Sequence, residues 1–152
     1  MNVKTLFAIA FVIIATMVAF FIINPSYERS LEAKYYYETR NYQLAYERAN
    51  EAFKLDIYNR MASTIMAQSK IAMKYQKYIQ QAQAYMQEIN AMAKKESLSD
   101  ADRAKIKMMS EIVVKQYKKL APSVITDTEL VEEATQYYKD FEKLLEKVDA
   151  TL

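Results

Sequence analysis

Thr5 to Ile23 reads TLFAIAFVIIATMVAFFII, nineteen residues without a charged side chain. Only Thr5 and Thr16 are polar, and a threonine in a helix can return its hydroxyl to a carbonyl of the preceding turn. At about 1.5 Å rise per residue the run spans roughly 28 Å, close to the hydrocarbon thickness of a bilayer. Lipid offers no water to backbone amides, so in a membrane this run can only be a helix. Phe11, Ile14 and Ile23 give the expected anchor its bulk. Ala15 and Ala19 form a small-xxx-small pair that could let anchor helices approach, although the spacing is also ordinary apolar helix composition. No later stretch is comparably apolar, so the expected organisation is a short tail (1–4), a transmembrane anchor (5–25) and a body (26–152) on one side of the membrane.

A secretory signal peptide also begins basic and then apolar. This run is longer than the usual signal core and ends in Ile22, Ile23, Asn24 and Pro25 rather than in small residues, which favours a retained anchor. Arg29, Lys34 and Arg40 outnumber the basic groups upstream, so flanking charge gives no clean orientation. A short tail carrying only Lys4 usually stays cytoplasmic, and long domains cross largely regardless of charge. The expected location is a bacterial inner membrane, spanned once, with the body in the periplasm.

Composition fixes the class of the body. The 152-residue chain has no glycine and only two prolines, Pro25 and Pro122. Tight turns in sheets lean on glycine, so its absence argues for an all-α body with short polar connections. Ser26 to Leu152 is long enough for one domain with a core. All 19 acidic residues and every basic one except Lys4 follow the anchor, leaving the body at +1. That near-balance provides no global field for nucleic acid or an anionic surface. Cysteine and histidine are both absent, which removes disulfides, thiolate nucleophiles, zinc–sulfur sites and the commonest general base. The expectation is a non-enzymatic protein without cofactor, metal or catalytic residues.

After Pro25 a helix is expected from about Ser26 to Thr39, either kinked on from the anchor or starting anew, then a break at Arg40 and Asn41 and a second helix from Tyr42 to Leu55. Ala33, Tyr36, Tyr42, Ala45, Ala49, Ala52, Leu55, Asp56 and Asn59 fall at the spacings of one tetratricopeptide repeat, over about residues 26–59. The stretch resembles such a repeat, with small residues where two antiparallel helices approach and aromatics beside them. Arg29, Arg40 and Ile57 depart from it, standing where the family usually has a large apolar residue, the turn glycine and the closing proline. The resemblance implies a hairpin over 26–57 and a groove, lined by the first helix of each repeat, that binds a peptide or partner protein.

From Tyr58 to about Lys95 no breaker occurs, which predicts a helix about 55 Å long. Ile65, Ala72, Ile79, Met86 and Ala93 keep a seven-residue period, alternating with Met61, Tyr75, Ala82 and Ile89. Such a seam packs against neighbouring helices, its first half on the hairpin and its second on the helices nearer the C-terminus. A further helix is expected over 99–121, capped by Ser99, with Ile106, Met109, Val113, Tyr117 and Leu120 on one face. Thr126 with Glu129 reads as a capping box opening a last helix over 127–149. There Leu130, Ala134, Tyr137, Phe141, Leu144 and Val148 step four and three residues apart.

Thirteen tyrosines are the unusual feature of the body. Tyr35, Tyr36 and Tyr37 are consecutive and cannot all face one core at 100° per residue, so at least one is expected to be exposed. With Tyr42 and Tyr46 they form the candidate partner-binding surface, since tyrosine is enriched at interfaces. For each tyrosine alone the plainer reading is core or groove wall. The methionines after Pro25, spread along the helices, read as gap-filling core rather than a copper site. Glu132, Glu133, Glu142 and Glu146, interleaved with Lys139, Lys143 and Lys147, read as a solvated face. Lys105, Lys107, Lys115, Lys118 and Lys119 are diluted by Asp102 and Glu111 and read the same way.

These features point to a membrane-anchored protein–protein interaction module, touching lipid through its first helix and binding protein partners, a second copy of the chain among the candidates. Small anchored proteins of this type look like accessory or scaffold subunits of bacterial envelope complexes, for example flagellar motor scaffolds or translocon-associated factors. The alternative is a periplasmic ligand-binding or sensor helical bundle signalling through the anchor, for which Met1 to Lys4 is expected to be too short an output segment.

Overall fold

The computed structural model describes residues 2–95 and 97–150. Among the described residues it has six α-helices and no strand: α1 (Val3–Ile23), α2 (Pro25–Glu38), α3 (Tyr42–Leu55), α4 (Arg60–Ala93), α5 (Asp100–Tyr117) and α6 (Thr128–Asp149). The chain divides into two compact units, Met1–Lys70 and Ile71–Leu152, and α4 contributes to both.

In the first unit, α1 is long and apolar enough to cross a membrane, and none of Val3–Phe20 is buried. Thr16 hides its hydroxyl within the helix, donating to the Val12 and Ile13 carbonyls at 2.9 and 2.8 Å. The chain does not continue as one kinked helix. Asn24 leaves helical geometry (φ −85°, ψ 110°), as the residue before a proline is pushed to do, and Pro25 opens α2 at the position where its missing N–H costs nothing. The Asn24 side chain caps α2 by accepting from the Ser26 amide at 3.1 Å.

α2 and α3 form an antiparallel hairpin around a turn in which Arg40 is left-handed at φ 61°. The Arg40 amide donates to the Tyr37 carbonyl and the Asn41 amide to the Tyr36 carbonyl, the two bonds of a Schellman motif. The buried faces of the hairpin are small: Ala33, Ala45, Ala49 and Ala52 are all at 0% exposure. Their lack of bulk lets the backbones come close, and Ile65 of α4 completes this core with Tyr36, Tyr37, Met61 and Met66 packed around it. Beneath lies a buried polar network. Asn59 gives both amide hydrogens away, to Ser26 Oγ and Ser30 Oγ at 2.8 Å each, and its Oδ1 accepts from the Ala62 amide, capping α4. Ser26 donates to the Ala52 carbonyl and Ser30 to the Ser26 carbonyl, both at 2.9 Å, so every donor is used.

Most boundaries shift by a residue or two from the sequence-based expectation, and three of the differences have a local cause. α4 begins at Arg60 rather than Tyr58, because Asp56 folds an Asx turn onto the Tyr58 amide and Asn59 serves as the cap. α5 stops at Tyr117, where Lys119 and Leu120 switch to bonds three residues back. α6 is capped by Asp127, which accepts from the Glu129 amide; the Thr126 hydroxyl is engaged backwards, accepting from the Ser123 amide at 2.9 Å, so no Thr126–Glu129 capping box forms. Ser99 does cap α5, in a reciprocal box closed by Asp102.

The second unit joins the rest of α4 to α5 and α6. Its core is made of larger side chains, with Ile79, Met109, Val113 and Phe141 buried, and burying Phe141 contributes on the order of 2–3 kcal/mol. The α6 stripe lies as its spacing demands: Leu130, Ala134 and Phe141 are buried and Tyr137, Leu144 and Val148 half-buried. Tyr117 stacks on Tyr138 with ring centroids 4.5 Å apart, packs against Tyr78 at 5.9 Å, and shares a 2.8 Å hydrogen bond with the Thr135 hydroxyl.

Candidate partner-binding surface

The five candidate tyrosines do not share one surface. Tyr35 is 64% exposed and meets the half-buried Tyr36 edge to face at 5.6 Å. Tyr37, one step round α2, is half-buried and packs edgewise on Tyr42 at 5.4 Å. Tyr42 is a correction: at 1% exposure its ring belongs to the core, because it opens α3 directly beneath the turn and its face is covered by Tyr37. Tyr46 is half-buried one helical turn further along α3. An exposed aromatic surface therefore reduces to Tyr35, with Tyr36 and Tyr37 as its flank.

Tyr37 also walls a groove of about 450 Å³ between α2 and the first turns of α4. Lys34 and Glu38 stand beside it on α2; Arg60, Met61, Thr64 and Ile65 face it from α4. The walls are one stripe on each helix, since side chains three and four apart share a face. Met61, Ile65 and the Tyr37 ring supply apolar contact, and Lys34, Glu38 and Arg60 ring it with charge. Lys34 and Glu38 lie 3.7 Å apart, an exposed pair worth at most about 1 kcal/mol and easily exchanged for a partner's groups. Reasoning from tyrosine alone missed Lys34, Arg60 and Thr64, although their spacing along two apolar-striped helices was readable.

The outer side of the hairpin is closed by charge. Arg29 pairs with Glu32 and Glu51, and Arg48 pairs with the same two carboxylates, at 3.0–3.7 Å. The bond to Glu51 holds the Arg48 guanidinium above its ordinary pKa. Arg29 thus spans two helices in a square of ion pairs.

The anchor residues all lie on open surface: Thr5, Phe11, Ile14, Ala15, Ala19 and Ile23 are exposed, Phe11 at 72% and Ile23 at 77%. A contiguous apolar surface of this extent marks a contact with lipid or with another apolar surface. Elsewhere the charged clusters resolve into pairs. Lys105 bonds Glu88, Lys107 meets Asp149 at 2.7 Å and Lys115 meets Glu111 at 3.4 Å. Glu142 accepts from the Tyr138 hydroxyl at 2.6 Å, and among the described residues no three acidic side chains converge as a metal site.

No protein-family model matches this chain, and neither a curated protein nor a solved structure shows significant similarity to it.

Proposed function

We propose that the protein is a non-enzymatic interaction module held at a bacterial inner membrane by α1, with its helical body in the periplasm, serving as an accessory or scaffold subunit of an envelope complex. The single observation behind this reading is the α2–α4 groove, an apolar floor of Tyr37, Met61 and Ile65 rimmed by charges of both signs. That mixture suits an extended peptide or a partner helix, which needs apolar anchors and a polar rim. The tetratricopeptide resemblance supports it, since α2 would be the first helix of one repeat and the start of α4 the first helix of the next. The fully exposed apolar length of α1 supports lipid as its solvent.

Site-specific photocrosslinking in intact cells tests the reading. Crosslinkers at Tyr35, Tyr37 and Thr64 should capture the same one or two envelope proteins, while a crosslinker at Lys139 should not. If groove and control positions yield the same products, the groove is not a recognition surface. Detergent-dependent extraction of the full chain, and protease access to a tag after Leu152 from the periplasmic side only, test the anchor and the orientation.

A ligand-binding bundle is the second reading, favoured by a cavity of about 290 Å³ in the second unit lined by Ile89, Leu98, Ile106, Leu144 and Val148.

A further inference from the structure

Between Asp56 and Glu88 the sequence has Arg60, Lys70, Lys74 and Lys77 and no acidic residue; between Glu111 and Asp127 it has Lys115, Lys118 and Lys119, again with none. The second unit brings parts of these stretches to one place. A cavity of about 330 Å³ is lined by Lys74, Lys77, Tyr78 and Gln81 of α4, by Gln116 of α5 and by Lys119 just beyond it. No carboxylate lines it. Lys105, Lys107 and Lys115 are neutralised by Glu88, Asp149 and Glu111, whereas Lys74, Lys77 and Lys119 have no acidic partner among the described residues. Tyr78 is only 4% exposed, yet its hydroxyl makes no hydrogen bond.

We propose that this cavity is a binding site for a phosphate group, carried by a free phosphorylated molecule or by a lipid headgroup. Three ammonium groups supply up to nine hydrogens and a charge of +3, a poor match for one carboxylate and a good one for a phosphate carrying about −1.5 to −2 with three strong acceptor oxygens. The Gln116 amide adds uncharged donors; one Gln81 hydrogen already goes to the Tyr85 hydroxyl at 3.1 Å. A liquid water occupies about 30 Å³, so the cavity holds a phosphate together with part of what carries it. The site lies apart from the α2–α4 groove in sequence and chemistry, and does not depend on a protein partner.

The test is calorimetric titration of inorganic phosphate into the full chain in phosphatidylcholine nanodiscs, repeated in nanodiscs containing phosphatidic acid, whose headgroup is a phosphate monoester. Saturable binding in phosphatidylcholine should weaken by at least about tenfold in Lys74→Gln/Lys77→Gln/Lys119→Gln, because each lost bond joins two charged groups. The control Lys54→Gln/Lys139→Gln/Lys143→Gln removes the same charge elsewhere and should bind like the parent. Competition in phosphatidic acid nanodiscs, or a phosphorus NMR shift of that lipid lost only in the first variant, identifies the headgroup as the source; phosphate binding without competition identifies a free ligand. No binding in either lipid, or equal weakening in both variants, overturns the proposal. None of the six lysines is buried, so the substitutions leave the core untouched.

Discussion

In the α2–α3 hairpin the fully buried side chains are a single ring, Tyr42, and four alanines, Ala33, Ala45, Ala49 and Ala52, with Ser26, Ser30 and Asn59 close below; in the bundle of α4, α5 and α6 they include Phe141, Met109 and Val113. Tyr42 apart, the hairpin has little apolar area to bury, so its helices are fixed largely by close approach and by a polar network whose donors are all used. The bundle relies on bulk, which gives more apolar stabilisation per residue. Networks specify geometry because half of one is worse than none.

Phe141→Ala should show the largest effect, a loss of about 4 kcal/mol, because a fully buried ring leaves a void that partly rigid neighbours cannot fill. Hydrogen exchange on the detergent-solubilised full chain reads where the loss falls. Protection should drop across α5 and α6 and persist in α2 and α3; an equal drop in the hairpin would mean that the contrast between the units is not energetic.

Asn59→Ala should cost about 2–3 kcal/mol, combining a lost helix cap of about 1 kcal/mol with two lost buried bonds. Asn59→Asp separates the parts. Aspartate caps a helix as well as asparagine but has no hydrogens for Ser26 and Ser30, so it should be no better than alanine at neutral pH. Near-parental melting of Asn59→Asp would show that the cap alone matters and that the serine network is incidental.

How legible each region was follows the same physics. Apolar periodicity announced the bundle, since Leu130, Ala134 and Phe141 are buried at the spacing a helix stripe requires. The hairpin's small residues were also legible, and Tyr42 was read two ways, as a packing aromatic of the repeat resemblance and as a member of the tyrosine surface; burial beside Tyr37 makes it the former. Thr126 misled because Ser123 competes for its hydroxyl, a local choice no spacing reveals. The groove required knowing that Lys34 and Arg60, far apart in sequence, face each other. The lysine-lined cavity was not legible either, because only Lys119 belongs to the cluster read as a solvated face, while Lys74 and Lys77 join it from α4.

Arg40→Gly sharpens the comparison from the stabilising side. A residue with a Cβ pays roughly 1 kcal/mol for left-handed geometry, and glycine returns part of that gain through its freer unfolded chain, so the net gain should be about 0.5–1 kcal/mol. A rise in melting temperature confined to hairpin protection would confirm strain at the turn, and a fall would show that the arginine side chain matters more than its φ.

The smallest expected effect is electrostatic and lies in the second unit. Asp102 bonds the Lys95 ammonium at 2.7 Å and the Ser99 amide and hydroxyl at 3.2 and 2.8 Å, which together lower its pKa to about 2. An unfolded aspartate titrates near about 3.9, so the carboxylate's contribution is fully present above that value and disappears as pH falls through about 2. Amide protection in the first turn of α5 should therefore decline between those two values, and Asp102→Asn should flatten the decline while lowering protection at neutral pH. The hairpin's serine–asparagine network has no titrating member, so its protection over the same interval should not follow this curve. A shared curve would mean that acid acts on the whole chain rather than on one cap.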